Sequence, residues 1–101
     1  MKVSKLINSL KFKQVQPTIT TDFDVTMLTQ DTREIQPGAM FIAVDGYHVD
    51  GHTLVKQAVE KGAKIIVAQK RINVTIPVVY VQNTERAMAI LADVFFEAPS
   101  Q

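Results

Sequence analysis

Two apolar runs, Ala39 to Val44 and Ala63 to Ala68, constrain this chain more than any other feature. The first is unbroken and the second carries only Lys64 among its apolar residues. Runs of this length without polar alternation mark strands covered on both faces, as in parallel sheets. Between them Leu54, Val55, Ala58 and Val59 form one helical stripe, which stops at Gly62, a favoured residue just past a helix C-terminus. Asp50 is the expected N-cap of that helix. Strand, helix and strand in this order predict a βαβ unit, whose two strands lie parallel.

The flanking segments extend that unit into an α/β domain. Val3, Leu6, Ile7 and Leu10 recur at the spacing of one helix face and predict a short amphipathic opening helix that needs a sheet to cover. The stretch from Phe12 to Asp24 reads as a loop or an edge strand around Pro17. Val25 to Thr29 favours a strand, and Gln30 to Arg33 a polar loop after it. Pro37 and Gly38 form a turn pair before the first apolar run. Ile76 to Val81 predicts a further strand with Pro77 at its start. Thr84 is placed to cap a last helix carrying Ala87, Ile90, Leu91, Val94 and Phe95 on one face and ending at Pro99. The expected fold is a mixed, largely parallel sheet of about four to five strands with helices on both faces.

Composition narrows the functions available to such a domain. With 101 residues and 47% hydrophobic content the chain suits a single domain with one core. A net charge of +1 gives no basic field for nucleic acid. The absence of cysteine excludes disulfides and thiolate metal sites, and a reducing compartment, the cytoplasm, is the default expectation. The N-terminal residues are interrupted by Lys5, Asn8 and Lys11, unlike a signal peptide, and no segment approaches the roughly 20 apolar residues of a membrane span.

In open α/β sheets ligands bind beyond the carboxyl ends of the strands. Two loops qualify. Gln30 to Glu34 offers an amide, carboxylates, a hydroxyl and a guanidinium, and reads either as a ligand-contacting turn or as an Asp-Thr turn with Arg33 solvated. Asp45 to His52 leads from a buried strand into a helix N-terminus, where free N–H groups suit an anion and Tyr47 or His48 could stack on a base. It reads equally as a surface loop whose glycines serve its turns. His48 and His52 lie four apart, but no Glu follows His48 as in a zinc-protease motif, so a metal site is not expected. The chain has no cysteine nucleophile, no Gly-x-Ser-x-Gly elbow and no phosphate-binding glycine loop, so neither hydrolase chemistry nor an ATP site is expected in it.

In combination and order, these residues resemble the Mur ligases of peptidoglycan synthesis, especially the UDP-N-acetylmuramoyl-tripeptide synthetases. The likeness runs through Asp31-Thr32-Arg33, Pro37-Gly38, Met40-Phe41-Ile42-Ala43, Gly46-Tyr47 and Asp50-Gly51-His52. It continues with Ala58, Gly62-Ala63, Thr84, Arg86, Ala87, Leu91, Ala92, Phe96 and Pro99-Ser100. Thr32 departs from the family's usual serine, keeping the hydroxyl and adding a methyl. The resemblance implies the N-terminal domain of a three-domain ligase, residues 1–101 holding the uridine diphosphate part of the substrate. It further implies that ATP, Mg²⁺ and the incoming amino acid, L-lysine or meso-diaminopimelate, bind to central and C-terminal domains outside this chain. The implied partners are UDP-N-acetylmuramoyl-L-alanyl-D-glutamate and the rest of the same polypeptide, with no nucleic acid or membrane and no cofactor in this domain. Carried over residue by residue, the implied substrate contacts are Thr32, Tyr47, His48 and Val49, with Gln30 beside them; no catalytic residue is implied. The alternatives are the later ligase of the family, which adds D-alanyl-D-alanine, and a free-standing binding or regulatory module.

Overall fold

A computed structural model describes residues 1–10, 14–16, 22–44 and 54–97. Helix α1 spans Val3–Asn8, α2 Val55–Glu60 and α3 Thr84–Glu97; the strands are β1 Gln14–Gln16, β2 Leu28–Thr29, β3 Met40–Ile42, β4 Ile65–Ala68 and β5 Val78–Tyr80. They form one five-stranded sheet in the order β1-β5-β4-β3-β2. Neighbours from β2 to β5 pair parallel, and β1 alone runs antiparallel against β5. The two apolar runs pair directly, Met40 opposite Ile65 and Ile42 opposite Val67.

Strand periodicity sorts the core into two layers. Met40 and Ile42, Ile65 and Val67, and Val79 point to one face, where Val3, Leu6, Ile7 and Leu10 from the opening segment and Ala87 and Leu91 of α3 cover them. Phe41, Ile66, Ala68 and Val78 point to the other face, against Val55 and Ala58 of α2 and Ile35 from the β2–β3 connection. Full burial of each large aliphatic or aromatic side chain contributes about 1.5–3 kcal/mol, so these central strands carry much of the stability. Tyr80 ties the β4–β5 connection down, since its hydroxyl donates to the Ile72 carbonyl and accepts from the Ile72 N–H.

The Pro37-Gly38 turn sets the start of β3. Gly38 (φ +92°) and Gly62 (φ +111°) both occupy the left-handed region. The Gly38 N–H donates to the Gly62 carbonyl at 2.9 Å, and Lys64 N–H to Ala39 at 2.9 Å. A Cβ on Gly62 would lie 2.9 Å from Pro37 Cα, so the end of α2 and this turn interlock only because that residue is glycine.

Two local expectations change in the structure. The Val25–Thr29 run contributes only Leu28 and Thr29 to the sheet. Val25 N–H instead donates to Met1 and Thr26 N–H to Gly38, partners that propensity does not foresee. The cap of α3 is Asn83 rather than Thr84: Asn83 Oδ1 accepts from the Arg86 N–H at 2.9 Å, three residues into the helix. The edge-strand alternative for the Phe12 to Asp24 stretch holds at Gln14–Gln16. Asp50 lies outside the described residues, as does Pro99. Among the described residues no helix is long and apolar enough to cross a membrane.

Candidate functional site

Because β2, β3, β4 and β5 are parallel and adjacent, their carboxyl ends open on one edge of the sheet. The two loops singled out in the sequence follow neighbouring strands there, with Thr29 of β2 opposite Phe41 of β3. Gln30 and Thr32 are described; Tyr47, His48 and Val49 lie outside the described residues.

The turn after β2 is built from its own polar groups. Thr32–Glu34 forms a single 3-10 turn capped by Asp31, whose Oδ1 accepts from the Arg33 N–H at 2.9 Å. Thr29, 3% exposed at the end of β2, accepts from the Asp31 N–H at 3.0 Å. Its hydroxyl proton is offered to the Asp31 carbonyl at 3.2 Å or to Glu34 Oε1 at 3.1 Å. The Arg33 guanidinium, its side chain 85% exposed, folds back onto the Asp31 carboxylate with Nη2 at 2.8 Å and Nε at 3.1 Å. That side-chain bond, then the Arg33 N–H and the guanidinium charge, hold the Asp31 carboxyl down at about 2, and the same contact raises Arg33. The Asp-Thr turn with an exposed arginine is thus present, and it leaves contact between the turn and a ligand open.

Thr32 sits inside this frame at 6% exposure. Among the described residues nothing hydrogen-bonds its hydroxyl, while no fully buried side-chain oxygen or nitrogen lacks a partner. The Thr32 oxygen therefore keeps an opening to solvent and a free hydrogen-bonding capacity. Gln30, one residue past β2, is exposed beside it in the chain.

Sequence reasoning missed Gln69 and Asn83, which share this edge at the ends of β4 and β5. Gln69 Oε1 accepts from both the Thr84 N–H at 3.0 Å and the Thr84 hydroxyl at 3.1 Å. With Asn83 taking the Arg86 N–H and Gln69 the Thr84 N–H, the first turn of α3 spends donors on neighbouring side chains, unlike an open anion cradle. The polar residue directly after an apolar run, and the Asn three positions before Arg86, were the available signals. Among the described residues no group of three or more His, Asp or Glu could hold a metal ion.

Known proteins resemble the chain in sequence and in fold. Residues 24–96 match the model of the Mur ligase family, catalytic domain. The UDP-N-acetylmuramoyl-L-alanyl-D-glutamate--2,6-diaminopimelate ligase of Lactiplantibacillus plantarum is 80% identical over 100% of this chain, which covers 20% of that protein. Its counterpart by name in Listeria monocytogenes is 42% identical over 100% of the chain, again 20% of that protein. Among solved structures, MurF from Acinetobacter baumannii superposes with a TM-score of 0.79 at 21% identity, over 96% of this chain and 21% of that one, a likeness of fold alone. MurF ligase from Thermotoga maritima, solved in complex with ADP, gives a TM-score of 0.62 at 26% identity, over 67% of this chain and 16% of that one. The chain thus spans about a fifth of the length of the relatives it matches.

Proposed function

The chain belongs to the Mur ligase family, and from that premise we propose that it is the N-terminal, UDP-binding domain of a cytoplasmic ATP-dependent ligase. The reaction assigned to the whole protein is addition of 2,6-diaminopimelate to UDP-N-acetylmuramoyl-L-alanyl-D-glutamate, the activity in the names of its sequence relatives. In this reading ATP, Mg²⁺ and the incoming amino acid bind elsewhere in the polypeptide. This domain holds the far end of the substrate, and such remote binding orients a reacting carboxylate without touching it.

The observation that carries the reading is the Thr32 hydroxyl: nearly buried, without a hydrogen-bond partner among the described residues, and not fully closed from solvent. The proposed contacts are that hydroxyl and Gln30 from the loop after β2, and Tyr47, His48 and Val49 from the loop after β3. Identity of 80% to a diaminopimelate ligase favours this over the D-alanyl-D-alanine-adding enzyme, to which the likeness lies in fold.

Nuclear magnetic resonance shift mapping with UDP-N-acetylmuramoyl-L-alanyl-D-glutamate tests the site. Perturbation of Gln30 to Arg33 and Gly46 to His52 is expected; shifts confined to another surface would overturn the assignment. Calorimetry of the chain with MgATP is expected to be flat, because the sequence holds no phosphate loop. Binding in the micromolar range, roughly −8 kcal/mol, would contradict that division of labour.

A further inference from the structure

We propose that Thr29 is a positioning residue for the UDP-sugar site, holding the Thr32 hydroxyl ready for a ligand through the 3-10 turn; this rests on the reading of Thr32 given above. Thr29 is the last residue of β2, paired with Phe41 of β3, so its backbone belongs to the rigid sheet. Its hydroxyl reaches forward over the turn. It accepts from the Asp31 N–H and faces two acceptors, the Asp31 carbonyl and Glu34 Oε1, all within 3.2 Å. The side chain is 3% exposed, so the ligand meets the turn and not Thr29 itself.

The turn has few other ties to the sheet. Asp31 and Arg33 bind each other within it, and Ile35 anchors its far end in the α2-side core. Among the described residues Thr29 is thus the side chain that hydrogen-bonds the strand to the residue just before Thr32. With that link in place, no conformational freedom of the turn has to be removed when a ligand accepts or donates at Thr32.

The test is a double-mutant cycle in the 101-residue chain, titrated with UDP-N-acetylmuramoyl-L-alanyl-D-glutamate. Thr32→Val is expected to weaken binding about 5-fold, the size of one neutral hydrogen bond. Thr29→Val, which keeps the shape and removes the hydroxyl, is expected to weaken it about 3- to 5-fold. The double variant should bind no worse than Thr32→Val alone, since both act on one contact. Thr29→Ser should restore affinity. Glu34→Ala, altering an exposed side chain and removing one acceptor of Thr29, should cost about 2-fold and lose that effect in the Thr32→Val background, which gives a result even if Thr29→Val does not fold.

Losses that simply add, or wild-type affinity in both Thr29→Val and Glu34→Ala beside a weakened Thr32→Val, would overturn the role of Thr29 while leaving the site intact. Wild-type affinity in Thr32→Val would overturn both.

Discussion

Thr32 and Thr84 are both buried threonines at the carboxyl edge of the same sheet, 6% and 1% exposed, yet they end in opposite chemical states. Thr84 opens α3, and its N–H and hydroxyl both donate to Gln69 from the end of the adjacent strand. Thr32 opens the 3-10 turn after β2, where Thr29 is bonded to Asp31 and Glu34 and Asp31 to Arg33, and among the described residues none of these bonds uses the Thr32 hydroxyl. One hydroxyl closes a network and the other is left over. The difference teaches where along a strand-end edge to look for a ligand: at the polar group that the fold supports and does not consume.

The largest expected effect lies at the opposite, amino-terminal ends of the strands, where the turn leading from the Thr32 loop into β3 meets the end of α2. Gly62→Ala places a Cβ 2.9 Å from Pro37 Cα at φ +111°. A loss on the order of 2 to 3 kcal/mol is expected in denaturant unfolding. An unchanged midpoint would show that the Pro37-Gly38 turn, and with it the start of β3, does not depend on that interlock. On the Thr84 side, Gln69→Leu withdraws the acceptor of two donors and should cost about 2 kcal/mol. A neutral result there would mean that water replaces Gln69 and that the network is less closed than its geometry indicates.

Thr84→Val and Thr32→Val sharpen the comparison directly. The first loses a made hydrogen bond and should destabilise by about 1 kcal/mol; the second loses none and should shift stability by less than about 0.5 kcal/mol. Equal destabilisation by thermal unfolding would erase the distinction. The smallest effect is a titration. Asp31, depressed from the ordinary 3.8 to about 2 by its bonds to Arg33, should follow a midpoint near 2 by carboxyl chemical shift. Because its folded value is lowered, its stabilising contribution is complete above pH 3.8 and fades as the pH falls through about 2. A midpoint at 3.8 would mean that the ion pair does not hold in solution.

Much of the scaffold was legible in the residues because its causes are local. Apolar runs bounded by Gly38 and Gly62 specify β3 and β4, and helical stripes specify α1 and α3. What escaped depends on partners distant in sequence. Val25 and Thr26 look like strand residues, but their N–H groups go to Met1 and Gly38. For Gln14–Gln16, read from the residues as loop or edge strand, the choice is made by pairing with β5, some sixty residues away in the chain. At the site, the sequence marks Thr32 as a hydroxyl in a turn. It says nothing of whether that hydroxyl is consumed, since this depends on Thr29, Asp31 and Glu34 closing on one another, nor does it reveal that Gln69 occupies the start of α3.

The central claim is that the leftover hydroxyl, and not the consumed one, meets the ligand. Dissociation constants for UDP-N-acetylmuramoyl-L-alanyl-D-glutamate, measured side by side on the wild-type chain, Thr32→Val and Thr84→Val below their melting temperatures, test it most directly. The expected result is a roughly 5-fold loss in Thr32→Val, about 1 kcal/mol, with Thr84→Val binding as wild type. Wild-type affinity in Thr32→Val, or an equal loss in Thr84→Val, would contradict the account.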